Sequence, residues 1–87
     1  MKDITESWKV YLIKCGDNSL YCGIAKDVSG RVEKHNAGKG AKYTRSRLPV
    51  ELAAVSDEMS KSEALKLEYY IKKQSTEDKI RVLKERV

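Results

Sequence analysis

The sequence predicts an α+β fold: a small three-stranded antiparallel sheet flanked by helices, in the order β-β-α-β-α-α. Three observations predict it. Two early runs, residues 8–15 and 20–25, alternate their side chains with a period of two, and Gly16, Asp17, Asn18 and Ser19 between them supply turn chemistry. Two later stretches each open on a capping box, Ser60 with Glu63 and Ser75 with Asp78, and so mark helix starts. The chain has 87 residues, 40% apolar and 36% charged. That suits a single domain over residues 1–87 with a modest core and excludes a disordered tail.

In the first strand Trp8, Val10 and Leu12 share one face, and Lys9, Tyr11 and Ile13 the other. In the second, Leu20, Cys22 and Ile24 form an apolar face opposite Tyr21, Gly23 and Ala25. A turn centred near Gly16 or Asp17 sets Tyr11 and Tyr21 opposite or diagonal on one face. Beside them Gly23 and Ala25 leave a shallow depression next to two phenols. Asp27 caps a helix from Val28 to about Asn36, stopped by Gly38. Arg31 and His35, four apart, share one face of it, while Val28 and Val32 hold the core side. A Gly-, Lys- and Arg-rich loop covers residues 38–48, and Pro49 opens a third strand over residues 50–55.

The helix that Ser60 caps runs to about Gln74, with Ala64, Leu65, Leu67 and Ile71 as its buried stripe, and the last helix ends near Arg86. Glu68 falls within that stripe, and an inward carboxylate needs a partner or a metal. The alternative places Glu68 at the stripe's edge, paired with Lys72 one turn on.

The net charge of +5 is concentrated: residues 26–47 hold seven basic residues (Lys26, Arg31, Lys34, Lys39, Lys42, Arg45, Arg47) against Asp27 and Glu33. The rest of the chain is neutral. Such a patch reads either as a phosphate-facing surface, because Lys and Arg release counterions condensed on nucleic acid, or as a solvated face serving solubility. No apolar run approaches the 18 residues of a membrane span, and residues 1–7 lack the regions of a signal peptide, so a cytoplasmic protein with no membrane partner is expected. Cys15 and Cys22 have neither companion cysteines nor clustered histidines, and read as reduced, partly buried thiols.

Taken together, these residues resemble the GIY-YIG nuclease family. Its two strand motifs appear as Lys9-Val10-Tyr11 and Tyr21-Cys22-Gly23, its helical arginine as Arg31, its polar aromatic residue one turn later as His35, and its acidic residue as Glu68. The run from His35 to Arg45, followed by Pro49-Val50-Glu51-Leu52, looks like the small stand-alone bacterial members called YhbQ-like, related to the nuclease domain of the DNA repair protein UvrC. The match covers about residues 8–80. Lys9 and Val10 depart from the first motif, Ile24 stands where UvrC has lysine, and the late asparagine of many members is missing, since Asn18 and Asn36 both come early.

The resemblance implies metal-assisted hydrolysis of a phosphodiester in nucleic acid, DNA ahead of RNA. Glu68 would hold one Mg²⁺ or Mn²⁺. Tyr11 would take the proton of the attacking water, and Arg31 would stabilise charge on the phosphate. Tyr21 and His35 would orient phosphate and water. Gly23 would let the backbone approach, and Lys39, Lys42, Tyr43, Arg45 and Arg47 would grip the strand. Family enzymes generally join this domain to a separate DNA-binding region, so a partner protein supplying specificity is expected. Each residue also has a plainer use: cross-strand packing for Tyr11 and Tyr21, an exposed helix face for Arg31 and His35, a bulge at Gly23, core cover for Tyr43. Three classes therefore stay open: an endonuclease, a non-catalytic nucleic-acid-binding domain, and a protein-interaction module.

Overall fold

Turn chemistry sets the first pairing. In the computed structural model, which describes residues 7–85, β1 (Lys9–Lys14) and β2 (Leu20–Ala25) form an antiparallel hairpin with Tyr11 opposite Gly23 and Ile13 opposite Tyr21. Tyr11 and Tyr21 are thus diagonal neighbours on one face. The turn is closed by Cys15 N–H donating to Ser19 O (2.8 Å), and Asp17 Oδ1 accepts from both the backbone N–H (3.0 Å) and the hydroxyl (2.6 Å) of Ser19. Trp8 stands outside the strand and bridges Met59 instead.

β3 (Glu51–Val55) pairs antiparallel with the free side of β1, giving the order β2-β1-β3. Its register shifts between Leu12 and Ile13, which leaves Ala53 as the bulged residue. Val50 lies just before the strand because its backbone is engaged elsewhere. Its N–H donates to Asn36 Oδ1 (2.7 Å) and its carbonyl accepts from Asn36 Nδ2 (2.9 Å).

Four helices complete the described residues: α1 (Val28–Asn36), α2 (Lys42–Arg45), α3 (Lys61–Lys72) and α4 (Thr76–Glu85). The caps are those the sequence offers: Asp27 accepts from Gly30 N–H, Ser60 from Glu63 N–H and Ser75 from Asp78 N–H. Gly38 ends α1 at a φ of 78°, a left-handed conformation that costs glycine nothing. The expected helix end near Arg86 lies outside the described residues. Helix α2 is an addition, a single turn inside the segment read as a loop.

The central strand is buried on both faces. Val10, Leu12 and Cys22 pack under Ala64, Leu67 and Ile71 of α3 and Leu83 of α4. On the other face Tyr11, Ile13, Cys15 and Ala25 pack against Val28 of α1 and Val50. The stripe of α3 is Ala64, Leu67 and Ile71. Leu65, expected within it, is 46% exposed because it lies one residue, about 100°, round from Ala64.

Candidate active site

Tyr11 is the innermost member of the expected constellation. It projects from the middle strand toward α1, and its phenol oxygen lies 3.0 Å from His35 Nε2. Room for that phenol comes from Gly23 across the hairpin, where an added Cβ would stand 2.5 Å from the hydroxyl. Gly23 is buried, so the absence of a side chain serves Tyr11 rather than a close approach of substrate to the backbone. Burial, with the Tyr21 phenol adding, pushes the Tyr11 phenol up to about 12; Arg31 opposes this and Glu68 reinforces it.

His35 differs from the expectation of a shared exposed face. Arg31 is exposed, whereas His35 is 1% exposed and turned beneath the surface. Both ring nitrogens are engaged, Nε2 by Tyr11 and Nδ1 by Thr44 Oγ1 at 2.8 Å, while the residue also lines the adjoining cleft. Burial lowers its pKa and the Arg31 charge lowers it further, which keeps the imidazole neutral at pH 7. Gly40 closes over the ring, and a Cβ there would collide with Nδ1. Tyr21 packs edge-on against His35, with ring centroids 5.4 Å apart.

A cleft lies beside this pair, lined by Tyr21, Arg31, Lys34, His35, Lys39, Gly40 and Ala41. Three of those residues are cationic. Lys42 and Arg45 are exposed on α2 nearby. Tyr43 and Arg47 are engaged internally: the Tyr43 ring stacks on Tyr21 at 5.9 Å, and the Arg47 guanidinium carbon sits 3.9 Å from the Tyr43 ring centroid. Arg47 also pairs with Asp17 (3.0 Å) and donates to Tyr43 O (2.7 Å). Its charge is therefore paired within the fold, unlike those of Lys42 and Arg45.

Glu68 approaches from another direction. Helix α3 packs on the face of the sheet opposite the Tyr11 phenol, and Glu68 is not among the residues that line the cleft. Its link to the tyrosines is Lys72, which lies 3.5 Å from Glu68 Oε2 and 5.7 Å from the Tyr21 ring centroid. The carboxylate raises the pKa of the Tyr11 phenol and of the Cys22 thiol, one on each face of the sheet. The side chain is 19% exposed, and the pairing with Lys72 is the alternative that the helix spacing offered. Lys72 is half exposed, and a helix pair at this spacing contributes only about 0.3–0.5 kcal/mol, weak enough to open for a better ligand.

Among the described residues no three His, Cys, Asp or Glu cluster as a metal cage. A single, partly shielded carboxylate, once released from Lys72, fits a hard cation that keeps several waters, and does not fit zinc. Asn36 is committed to Val50 and Asn18 to the hairpin turn, so no asparagine enters the cleft. Sequence reasoning missed Thr44 and Gly40. The signal that finds Thr44 is stoichiometric: a buried imidazole needs partners for both nitrogens, so a hydroxyl or carbonyl must lie beside the second.

Comparison with known proteins places the chain in a family. The family model described as the GIY-YIG catalytic domain matches residues 7–81. A UPF0213 protein of Staphylococcus aureus strain Mu3 is 56% identical over 81 residues, spanning 93% of this chain and 99% of the relative. The solution structure of the UPF0213 protein BH0048 from Bacillus halodurans is 43% identical, covers 88% of this chain and 82% of its own, and superposes with a TM-score of 0.54. That of protein EF2693 from E. faecalis is 33% identical, with coverages of 98% and 90% and a TM-score of 0.61. The chain belongs to the GIY-YIG domain family.

Proposed function

We propose that this protein is a nuclease that hydrolyses phosphodiester bonds in nucleic acid with a divalent cation. The observation that carries the reading is the buried hydrogen bond of 3.0 Å between the Tyr11 phenol and His35 Nε2, beside a cationic cleft. A phenol held at about 12 is ionised at pH 7 in only about one molecule in 10⁵. Alone it is a poor base. Paired with a neutral imidazole it can pass its own proton to His35 Nε2 as it takes one from water. The water oxygen then bonds to phosphorus while the ester P–O bond breaks; the leaving sugar oxygen departs with the bonding pair and takes a proton from solvent. The proton that Tyr11 passed on rests on His35 as imidazolium until solvent removes it.

Arg31 faces the cleft and meets the charge that grows on the phosphate oxygens, a contribution of about 100- to 1000-fold in rate for one such donor. Lys34 and Lys39 attract the strand. Glu68 is the residue that would hold Mg²⁺ or Mn²⁺, and a bound ion supplies Lewis-acid polarisation of the phosphate. A panel of single-stranded, duplex, flapped and branched DNA and RNA, incubated with Mg²⁺, Mn²⁺ or EDTA, tests the reading. Cleavage that needs the cation is expected; inert protein across the whole panel overturns it.

The Glu68–Lys72 pair favours one other reading, a domain that binds nucleic acid without turnover, because Lys72 already balances the carboxylate. That reading gives salt-sensitive binding in EDTA and no product with either cation.

A further inference from the structure

We infer that Thr44 is a positioning residue for this chemistry: its hydroxyl holds His35 in the Nδ1–H tautomer, which turns the Nε2 lone pair toward the Tyr11 phenol. The argument is a count of protons. Thr44 is fully buried, and its Oγ1 lies 2.9 Å from Ala41 O and 2.8 Å from His35 Nδ1. A carbonyl oxygen only accepts, so the contact with Ala41 O uses the single hydroxyl proton of Thr44. Nothing is left for Thr44 to give His35, and the 2.8 Å contact is then a hydrogen bond from Nδ1–H to Oγ1. With its proton on Nδ1, the neutral ring presents a lone pair at Nε2, and Tyr11 O–H donates into it. Four groups line up in one direction: Tyr11 O–H to His35, His35 N–H to Thr44, Thr44 O–H to Ala41 O.

The opposite tautomer loses on two sides. Thr44 would have to turn its proton to Nδ1 and abandon Ala41 O. Nε2–H would then point at the phenol oxygen, leaving the buried Tyr11 hydroxyl proton with no acceptor among the described residues. The only gain is a contact of 3.4 Å from Ala41 N–H to Nδ1, longer than an ordinary N–H hydrogen bond. Geometry keeps Thr44 in place: its own N–H also donates to Ala41 O (3.1 Å), and Gly40 lies against the imidazole with no room for a side chain.

The tautomer is a property of the folded protein alone, while its kinetic consequence rests on the nuclease reading. The chain has one histidine, so ¹⁵N spectra of histidine-labelled protein at pH 7.5 report the two ring nitrogens without ambiguity. The expected spectrum shows a pyrrole-like Nδ1 and a pyridine-like Nε2. In Thr44→Val the pattern moves toward the reverse, and in Thr44→Ser it is kept. In cleavage assays with Mg²⁺, Thr44→Val lowers kcat by about 10- to 100-fold with KM little changed, and Thr44→Ser restores most of it. An Nε2–H tautomer in the unsubstituted protein overturns the proposal, as does a Thr44→Val spectrum identical to it. If Thr44→Val fails to fold, the unsubstituted and Thr44→Ser spectra still decide. Absence of cleavage in the unsubstituted protein defeats the nuclease reading and leaves the spectrum to judge Thr44.

Discussion

Gly23 shows how much one missing methyl group decides. Its Cα faces the Tyr11 hydroxyl across the hairpin, and alanine there would put a carbon 2.5 Å from that oxygen. Gly23→Ala should therefore displace the phenol from His35, lowering turnover by at least about 100-fold if the phenol relays the proton. Tyr11→Phe should match that loss while leaving the fold intact, and single-turnover rates compare the two. On the proposed nuclease reading, Arg31→Ala and Glu68→Ala should each reduce cleavage far more than binding, since Arg31 would answer charge that grows in the transition state and Glu68 would hold the ion that shields it. His35 gives a separate signature in stability. Its pKa in the fold lies below 6.5, so at lower pH the unfolded chain binds more protons than the folded one. Stability is complete above about 6.5 and should fall as pH drops toward 5, a loss that urea midpoints measure and that His35→Gln should flatten. The pKa values of Asp17 and Asp78 are lowered from 3.8, so their contribution disappears only in stronger acid and does not overlap.

Among the elements, those with local signals were legible in the sequence. The hairpin, both capping boxes and the span of α1 follow from turn residues and N-caps, whose hydrogen bonds form within three residues along the chain. Helix α2 was hidden, since four residues in a basic, glycine-flanked run carry no periodicity. The inward turn of His35 was hidden for a related reason: helical spacing groups it with Arg31, and only the partners Tyr11 and Thr44, 24 residues before and 9 after, reveal which way it faces. Likewise the spacing on α3 allowed Glu68 to be either buried or paired with Lys72, and only the folded chain shows that pair formed, with Lys72 also over the Tyr21 ring. Asn36 is the element-level test. It pairs with Val50 as a neighbouring strand would, tying the end of α1 to the entrance of β3, and Asn36→Ala strips two backbone groups of their partner. A loss of about 1–3 kcal/mol is expected in denaturant titration, with nucleic-acid affinity unchanged once folded.

At the scale of the molecule, the charge of +5 is a feature of one segment, residues 26–47. Arg31, Lys34, Lys39, Lys42 and Arg45 are all exposed, whereas Arg47 is neutralised by Asp17. If about three to five cations meet phosphates, log K against log salt should slope by roughly −2 to −4.5. Lys39→Ala and Lys42→Ala should each flatten it by roughly 1, and Arg47→Ala should leave it nearly unchanged. A slope that responds to Arg47 and not to the lysines would contradict the assignment of cations to the two roles. No helix among the described residues is long and apolar enough to cross a membrane.

The two cysteines also give the molecule a pair of clocks. Cys22 lies in the packing under α3 and α4, and Cys15 in the packing on the α1 side. Burial pushes the Cys22 thiol up to about 12 and also raises that of Cys15, so neither offers an appreciable thiolate while the layers stay closed. Alkylation by a thiol reagent then times the opening of each layer separately. Because β1 contributes side chains to both layers, the two labelling rates should converge on the rate of global unfolding, and a faster Cys22 would mean that α3 and α4 lift away while the α1 side stays folded.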